Sequence, residues 1–323
     1  MSNPEHFILD LVVPIHGNLS LNKIFFESLV SNTRNRFRLF VIDNHSPDES
    51  PEYFRTQQGK GFEIIVLQND KNRCYPVSMN QGIKETTSPV VGLLNNDIVF
   101  GPGWDQPLVS FILENRGDIA SPIGLEHLPD KNMEEFLFYR WRRILKKDFS
   151  QDPELNLRKK IDSMYGDFEQ FSLWIMKRFH GLEFPGIMGH CHLVSRSFLE
   201  LTNGLDSRLQ AADWDLYLTA ANLLESGKIK KLPQILGDSF VHHFIRATAK
   251  SKHREPFVCD HPPHITPEEK WGVQNISRFW PFIEQRPGYK KPLEAKFRKM
   301  ILKCKAFRSM GDRNLIDHLG LFK

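Results

Sequence analysis

A lone carboxylate lies between two apolar runs in the first third of the chain. The run Val90–Leu94 (VVGLL) is followed by residues 95–97 (NND) and then by Ile98–Phe100 (IVF). This pattern predicts a buried strand with Asp97 and two amides at its carboxyl end, the edge where open α/β sheets bind ligands. A carboxylate in such apolar surroundings needs a partner, which a divalent cation with its bound phosphates would provide. The alternative is a turn capped by the aspartate.

Two earlier strands are expected to end in the same way. Residues 7–13 (FILDLVV) lead into PIHG, and residues 37–42 (FRLFVI) lead into DNHS. Carboxyl ends of parallel strands share one edge of a sheet, so Asp43, Asn44 and Asp48 are expected near Asp97. Neither GxGxxG nor GxxxxGK occurs, so a nucleotide would be held by carboxylates and a metal rather than by a glycine loop.

Alternating elements must position these residues. Helices are predicted at 21–30, 51–58 and 75–85, with a third strand at 62–67 (FEIIVL). A β-α-β-α-β-α-β order is typical of a parallel sheet covered on both faces. Regular structure is expected again from residue 184, with a helix at about 212–225 and late strands within 228–236 and 238–244.

Two other segments are basic and amphipathic. Residues 126–180 predict two or three helices that could form a lid, an acceptor-binding face, a contact with anionic lipid, or an insertion packed on the sheet with a solvated basic face. Residues 290–308 predict a helix that could dock on the core, a partner or a membrane surface. We therefore expect a main domain at 1–250, with 126–180 as its insertion, and an extension at 251–323.

The composition sets broad limits. The 323 residues include 43 Lys and Arg against 39 Asp and Glu, a net charge of +4, which is too mild to indicate nucleic-acid binding. Four widely spaced cysteines without a CxxC motif predict free thiols in a reducing compartment. The amino terminus does not resemble a signal peptide, and no run approaches the ~20 apolar residues of a membrane span. A cytoplasmic protein is expected, with possible peripheral contact at the inner face of a membrane.

Seven segments, in order over residues 7–250, resemble glycosyltransferase family 2, the inverting enzymes of GT-A fold, and in particular the rhamnosyltransferase type. The segments are VVPIHG, VIDNHSPDES, NRCYPVSMNQGI, LLNNDIVFGPGW, FPGIMGHCHLVSRSFLELTNGLD, ADWDL and VHHFIRAT. The resemblance implies a Rossmann-like mixed sheet with helices on both faces, extended here by the helical insertion and tail.

The resemblance also implies an activity and a site. The expected enzyme transfers a hexosyl or deoxyhexosyl group from a nucleoside-diphosphate sugar to a hydroxyl of a glycan or lipid-linked glycan. Asp97 and His243 would bind Mg²⁺ or Mn²⁺ at the diphosphate, and Asp213 would accept the proton of the acceptor hydroxyl. Asp43 would accept hydrogen bonds from the base or ribose. The donor-binding residues implied as a set are Pro14, His16, Asp43, Asn44, Asp48, Asn80, Asn96 and Asp97.

Three departures from the family pattern, and a choice between two adjacent histidines, bear on these roles. Cys74 replaces a glycine, so its loop must be rearranged or the residue must tolerate the glycine geometry. Asn95 replaces the first acid of the DXD segment. An Ala-Asp pair replaces Glu-Asp, which leaves Asp213 or Asp215 as the base, with Asp213 favoured. His242 and His243 would face opposite sides of a strand, and the spacing to Thr248 favours His243 as the ligand.

Other interpretations remain open. A nucleotidyltransferase is disfavoured because the loop PIHGN lacks basic residues. A non-catalytic module that binds nucleotide or glycan on the same fold remains an alternative, because a fold does not determine an activity. His190 and His192 alternate around Cys191, which permits metal ligation, although we do not expect it there.

Overall fold

The computed structural model describes residues 7–245, 264–280, 293–308 and 315–319. Its strands are β1 (Leu9–Ile15), β2 (Phe37–Asp43), β3 (Phe62–Gln68), β4 (Val90–Leu94), β5 (Ile98–Phe100), β6 (Ile119–Ile123), β7 (Glu183–Pro185), β8 (Cys191–Ser195) and β9 (Gln234–His243). Its helices are α1 (Leu19–Asn32), α2 (Ser50–Thr56), α3 (Tyr75–Glu85), α4 (Asp105–Leu113), α5 (Lys131–Ile144), α6 (Pro153–Tyr165), α7 (Phe168–Arg178), α8 (Arg196–Thr202), α9 (Ala212–Glu225), α10 (Pro267–Phe279), α11 (Leu293–Arg308) and α12 (Leu315–Leu319).

The first four strands form the parallel half of the sheet, as the sequence predicts. They lie in the order β3-β2-β1-β4, and the register places Ile15 of β1 beside Asp43 of β2. β1 and β4 are almost wholly buried, which explains why each is a nearly continuous apolar run. Their carboxyl ends therefore meet at one edge.

The second half of the sheet makes it mixed. β8 runs antiparallel to both β4 and β6, while β9 runs parallel to β6 and pairs its last residues antiparallel with β5. With helices on both faces, this confirms the expected mixed α/β class. The late strands predicted separately within 228–236 and 238–244 are one strand, β9. At Gly237 the strand passes so close to the carbonyl oxygen of Phe179 that a Cβ would collide with it, so only glycine fits at this position of β9.

The insertion forms three helices, α5 to α7, that pack on the sheet. Trp141 of α5 and Phe171 of α7 are completely buried in one cluster with Phe240 of β9. Arg140, 1% exposed, donates hydrogen bonds to the carbonyl oxygens of Ser163 and Met164 and so ties α5 to α6. Of the alternatives for residues 126–180, an insertion packed on the sheet therefore describes the inner face of these three helices.

The described parts of the extension also contact the main domain. Lys270 and Trp271 of α10 hydrogen bond to Asp215 of α9, and α11 packs along α5. Within the described residues, no helix is both long and apolar enough to cross a bilayer. Cys74, Cys191 and Cys304 are free thiols. The predicted boundary at residue 250, Thr248 and Cys259 lie outside the described residues.

Candidate active site

A cavity of about 360 Å³ lies at the carboxyl edge of the sheet. It is bounded by the segment after β4, the segment before β8, the end of β9 and the first turn of α9. Trp280, which follows α10, adds a wall from the extension. The lining residues are Tyr75, Asn95, Glu126, His127, Ile187, Met188, Gly189, His190, Gln210, Ala212, Asp213, Trp214, His243 and Trp280.

Asp97 and His243, predicted together as metal ligands, are in contact beside this cavity. Nε2 of His243 lies 3.2 Å from Oδ1 of Asp97, which is 5% exposed. The pairing of β5 with β9 causes this approach, because Ile98 lies opposite His243 and the amide of Phe244 donates to the carbonyl oxygen of Asp97.

His242 occupies the opposite face of β9, as the alternation of a strand requires. Its Nδ1 lies 2.7 Å from the hydroxyl of Tyr165, and its ring packs at 4.3 Å on the ring of Trp141. Burial keeps the pKa of His242 well below that of a free histidine. The structure therefore turns only His243 of this pair towards Asp97.

Glu126 and His190 complete a cluster that the sequence did not predict. Oε2 of Glu126 lies 3.1 Å from Nδ1 of His243 and 3.6 Å from Nδ1 of His190. The two imidazole rings stack with centroids 4.1 Å apart. One donor atom from each of the three residues lies within 4.8 Å of the others. His192 is not part of the cluster, because its Nδ1 donates to the carbonyl oxygen of Met188.

The carboxylates on either side of His243 control its protonation. Burial lowers the pKa of His243, but the negative charges and hydrogen bonds of Asp97 and Glu126 outweigh it and raise the pKa to about 10. Burial, with its histidine neighbours, holds the pKa of His190 well below the ordinary range. Without a cation, His243 thus carries the positive charge that the two carboxylates attract, and a metal ion would displace its proton.

The donor atoms of Asp97 and His243 fit a divalent cation. Two neighbouring ligands of an octahedral ion with bonds of about 2.1 Å lie about 3 Å apart, close to the 3.2 Å observed. Carboxylate and imidazole donors together suit Mn²⁺, and carboxylate also suits Mg²⁺. Glu126, bonded to the other ring nitrogen, would orient the imidazole.

Asp213 lies in the first turn of α9 and lines the same cavity. Its carboxylate packs on the α-carbon of Gly189, where any side chain would collide with it. Burial raises the pKa of Asp213, partly offset by hydrogen bonds from nearby backbone amides.

Asp215, the other candidate for the base, is engaged elsewhere. It accepts hydrogen bonds from Lys270 at 2.9 Å and from the indole of Trp271 at 2.7 Å. It is also absent from the residues that line the cavity. The structure thus gives Asp213 and Asp215 different surroundings, one at the cavity and one at α10.

At the ends of β1 and β2, two buried polar atoms have no hydrogen-bond partner in the part of the chain that the structure describes. Oδ1 of Asp43 accepts from the amide of Ser46, while Oδ2 has no hydrogen-bond partner among the described residues. His16 donates from Nδ1 to the carbonyl oxygen of Asn44, and its Nε2 likewise has no described partner. Such atoms are costly unless a ligand or water completes them.

Asn44 and three other predicted donor-binding residues hold the scaffold together. The side-chain oxygen of Asn44 accepts from Asn69 and Ser78. Asp48 accepts from the amides of Leu19 and Ser50, Asn96 donates to Asn22, and Asn80 both donates to and accepts from the backbone of Leu205.

Pro14 pairs with Ile42 within the sheet. None of the predicted donor-binding residues lines the cavity itself, and this includes His16, Asp43 and Asp97. Cys74 precedes α3 with an ordinary extended backbone (φ −66°), so the glycine geometry is not needed at this position.

Glu126 and Trp280 are two site residues to which sequence reasoning gave no role. Neither lies in a motif, and their neighbours in the cavity come from distant parts of the chain. The only available signals were the position of Glu126 just after a buried strand and the aromatic character of the extension.

The fold and the site define a mixed α/β protein with a cavity of carboxylates and histidines at the sheet edge. Residues 10–168 match the family described as Glycosyl transferase family 2. A stretch of 90 residues, 26% of the chain, is 33% identical to human polypeptide N-acetylgalactosaminyltransferase 18. The match spans only 15% of that protein.

Two solved structures show partial similarity to this chain. The mannosyltransferase PcManGT from Pyrobaculum calidifontis, in complex with GDP-Man and Mn²⁺, has a TM-score of 0.49 and 14% identity over 95% of this chain and 73% of that one. TarS 1–349 from S. aureus in complex with UDP has a TM-score of 0.46 and 13% identity over 72% of this chain and 59% of that one.

Proposed function

We propose that the protein is a metal-dependent, inverting glycosyltransferase that uses a nucleoside-diphosphate sugar as donor. One observation carries the proposal. His243 and Asp213 line the same cavity, and His243 is in contact with Asp97. Such a site offers a cation-binding pair for a diphosphate and a separate carboxylate for proton transfer. The match of residues 10–168 to glycosyltransferase family 2 supports the same reaction class.

Asp97 and His243 are the residues that would hold Mg²⁺ or Mn²⁺. When bound, the ion neutralises negative charge on the diphosphate leaving group. Glu126 positions His243 through its other ring nitrogen. Oδ2 of Asp43 and Nε2 of His16, which have no partner among the described residues, would provide an acceptor and a second hydrogen-bonding atom for the base or ribose of the donor.

Asp213 is the proposed general base. Its raised pKa makes it a stronger proton acceptor than an exposed aspartate. It would take the proton from the acceptor hydroxyl as that oxygen attacks the anomeric carbon. One direct displacement on the face opposite the leaving group inverts the configuration.

The proposed donors are nucleoside-diphosphate sugars that carry a hexose or deoxyhexose. The proposed acceptor is a hydroxyl of a glycan or lipid-linked glycan. Trp214 and Trp280, with ring centroids 4.9 Å apart, give the cavity an aromatic wall beside Asp213. Aromatic faces provide apolar contact for a sugar ring while its hydroxyls bond to polar neighbours.

The proposal is tested by incubating the purified chain with a panel of sugar nucleotides, including uridine and guanosine diphosphate sugars, and Mn²⁺ or Mg²⁺. We expect metal-dependent release of nucleoside diphosphate from at least one donor, which increases when a glycan acceptor is added. If no donor turns over under any of these conditions, the proposal fails. Metal-dependent nucleotide binding without turnover would instead favour the non-catalytic module.

A further inference from the structure

Helix α11 presents an apolar stripe to solvent. The exposed side chains are Leu293 (82%), Phe297 (62%), Met300 (53%) and Ile301 (44%). At 3.6 residues per turn these four positions lie within an arc of about 100°. Leu302 and Ala306, on the other side of the helix, are 4% and 0% exposed. The helix therefore packs on the protein through one face and leaves a second apolar face uncovered.

Cations border the stripe along both edges. α11 contains six Lys and Arg residues and a single Glu. By the helical repeat, Lys296 and Lys303 lie along one edge, and Arg298 and Lys305 along the other. An apolar face flanked by cations on both sides is the pattern of a helix that lies in a membrane interface.

A basic groove continues from one edge of this stripe onto α5. The groove has a volume of about 240 Å³ and is lined by Tyr139, Arg142, Arg143, Lys146 and Lys303. The ammonium groups of Lys299 and Lys303 lie 5.7 and 5.4 Å from the centre of the Tyr139 ring. Lys303 thus belongs to both the stripe edge and the groove, so the two features form one continuous surface.

The positive charge of this surface favours one binding partner, an anionic bilayer, over a second copy of the chain. A second copy of the chain would bring two cationic faces together, which is unfavourable. An anionic lipid bilayer complements both features, because its acyl region accepts the apolar stripe and its phosphates attract the flanking Lys and Arg side chains.

We propose that α11 and the adjoining groove of α5 form a docking surface for a bilayer that contains anionic lipids. The stripe inserts at the boundary between head groups and acyl chains, and the groove binds lipid phosphate. This surface lies outside the cavity that contains Asp213, so the proposal does not depend on the proposed transferase activity.

The test is flotation of the full chain with phosphatidylcholine vesicles, with and without phosphatidylglycerol. We expect binding to the anionic vesicles that weakens as salt increases, and little binding to phosphatidylcholine alone. Lys303→Glu should weaken binding by about fivefold or more, the factor that corresponds to about 1 kcal/mol for each cation at an anionic surface. Phe297→Ser with Met300→Ser should weaken it by about tenfold or more.

Matched controls come from other exposed positions. Lys230→Glu changes an exposed lysine outside the surface, and Val273→Ser changes a valine of α10 that is 68% exposed. Both should bind vesicles like the original chain. The proposal is overturned if the chain does not bind anionic vesicles, binds both lipid mixtures equally, or loses no more affinity in the α11 variants than in these controls. Self-association abolished by Phe297→Ser, without vesicle binding, would also overturn it.

Discussion

Nε2 of His243 lies 3.2 Å from Oδ1 of Asp97, so the last residue of β9 meets the residue that precedes β5. The other ring nitrogen of His243 contacts Glu126 at 3.1 Å. A histidine held between two carboxylates gains a proton when no cation is present and can exchange that proton for a metal ion. The pairing of β5 with β9 therefore brings together the two residues proposed to bind the metal ion.

The two adjacent histidines should respond differently to substitution. His243→Gln removes the imidazole donor from the cation pair, so we expect transfer to fall by about 100-fold and to require more Mn²⁺. His242→Gln removes the contact with Tyr165 in the core and should lower the free energy of unfolding by about 1–3 kcal/mol. Rates at varied Mn²⁺ and denaturant melts measure both effects. An unchanged metal response in His243→Gln would contradict this assignment.

Asn80 should contribute to stability rather than to donor affinity. Its side chain forms two hydrogen bonds with the backbone of Leu205, at 2.7 and 2.8 Å, and joins α3 to the segment before α9. Asn80→Ala should lower the free energy of unfolding by about 1–3 kcal/mol without changing the Kd for a nucleoside diphosphate. The exposed Asn222→Ala of α9 is the matched control. A tenfold weaker Kd with unchanged stability would restore Asn80 as a donor ligand.

Acid should weaken the attachment of α10. Hydrogen bonds from Arg208 and Lys270 lower the pKa of Asp206 despite its partial burial. Because its pKa is lower in the folded state, the ionised Asp206 carboxylate stabilises the folded protein. This stabilisation is complete above the ordinary Asp pKa of about 4 and is lost as the pH falls towards the folded-state pKa. The difference in melting temperature between the original chain and Asp206→Asn should be constant from about pH 7 to 5 and shrink below about pH 4. A difference independent of pH would contradict this.

The parallel half of the sheet could be predicted because its information is local. Each of β1 to β4 is an apolar run that ends in a polar turn, and the apolar face of each following helix is visible in the sequence. The antiparallel half was less accessible. The order β4-β8-β6-β9-β5 depends on pairings between residues far apart in the chain, such as Leu94 with Cys191.

The site shows the same division between local and long-range information. Asp97 was predicted because it follows an apolar run, and His243 and Asp213 because their segments resemble family motifs. The structure brings all three to one region. Glu126 was missed because its contacts with His190 and His243 come from the sheet order. Asp48, Asn80 and Asn96 were assigned to the donor, whereas their observed hydrogen bonds are to the protein itself.

The most direct test of the two-part site compares Asp97→Ala and Asp213→Asn in one experiment. Calorimetry measures the binding of UDP and GDP with and without Mn²⁺, and a turnover assay on the same samples measures transfer from the matching sugar nucleotides. We expect both variants to lose transfer, by about 100-fold or more for Asp213→Asn, while only Asp97→Ala loses metal-dependent nucleotide binding. Full transfer by Asp213→Asn, or unchanged metal-dependent binding by Asp97→Ala, would contradict the division of metal binding and proton transfer between these residues.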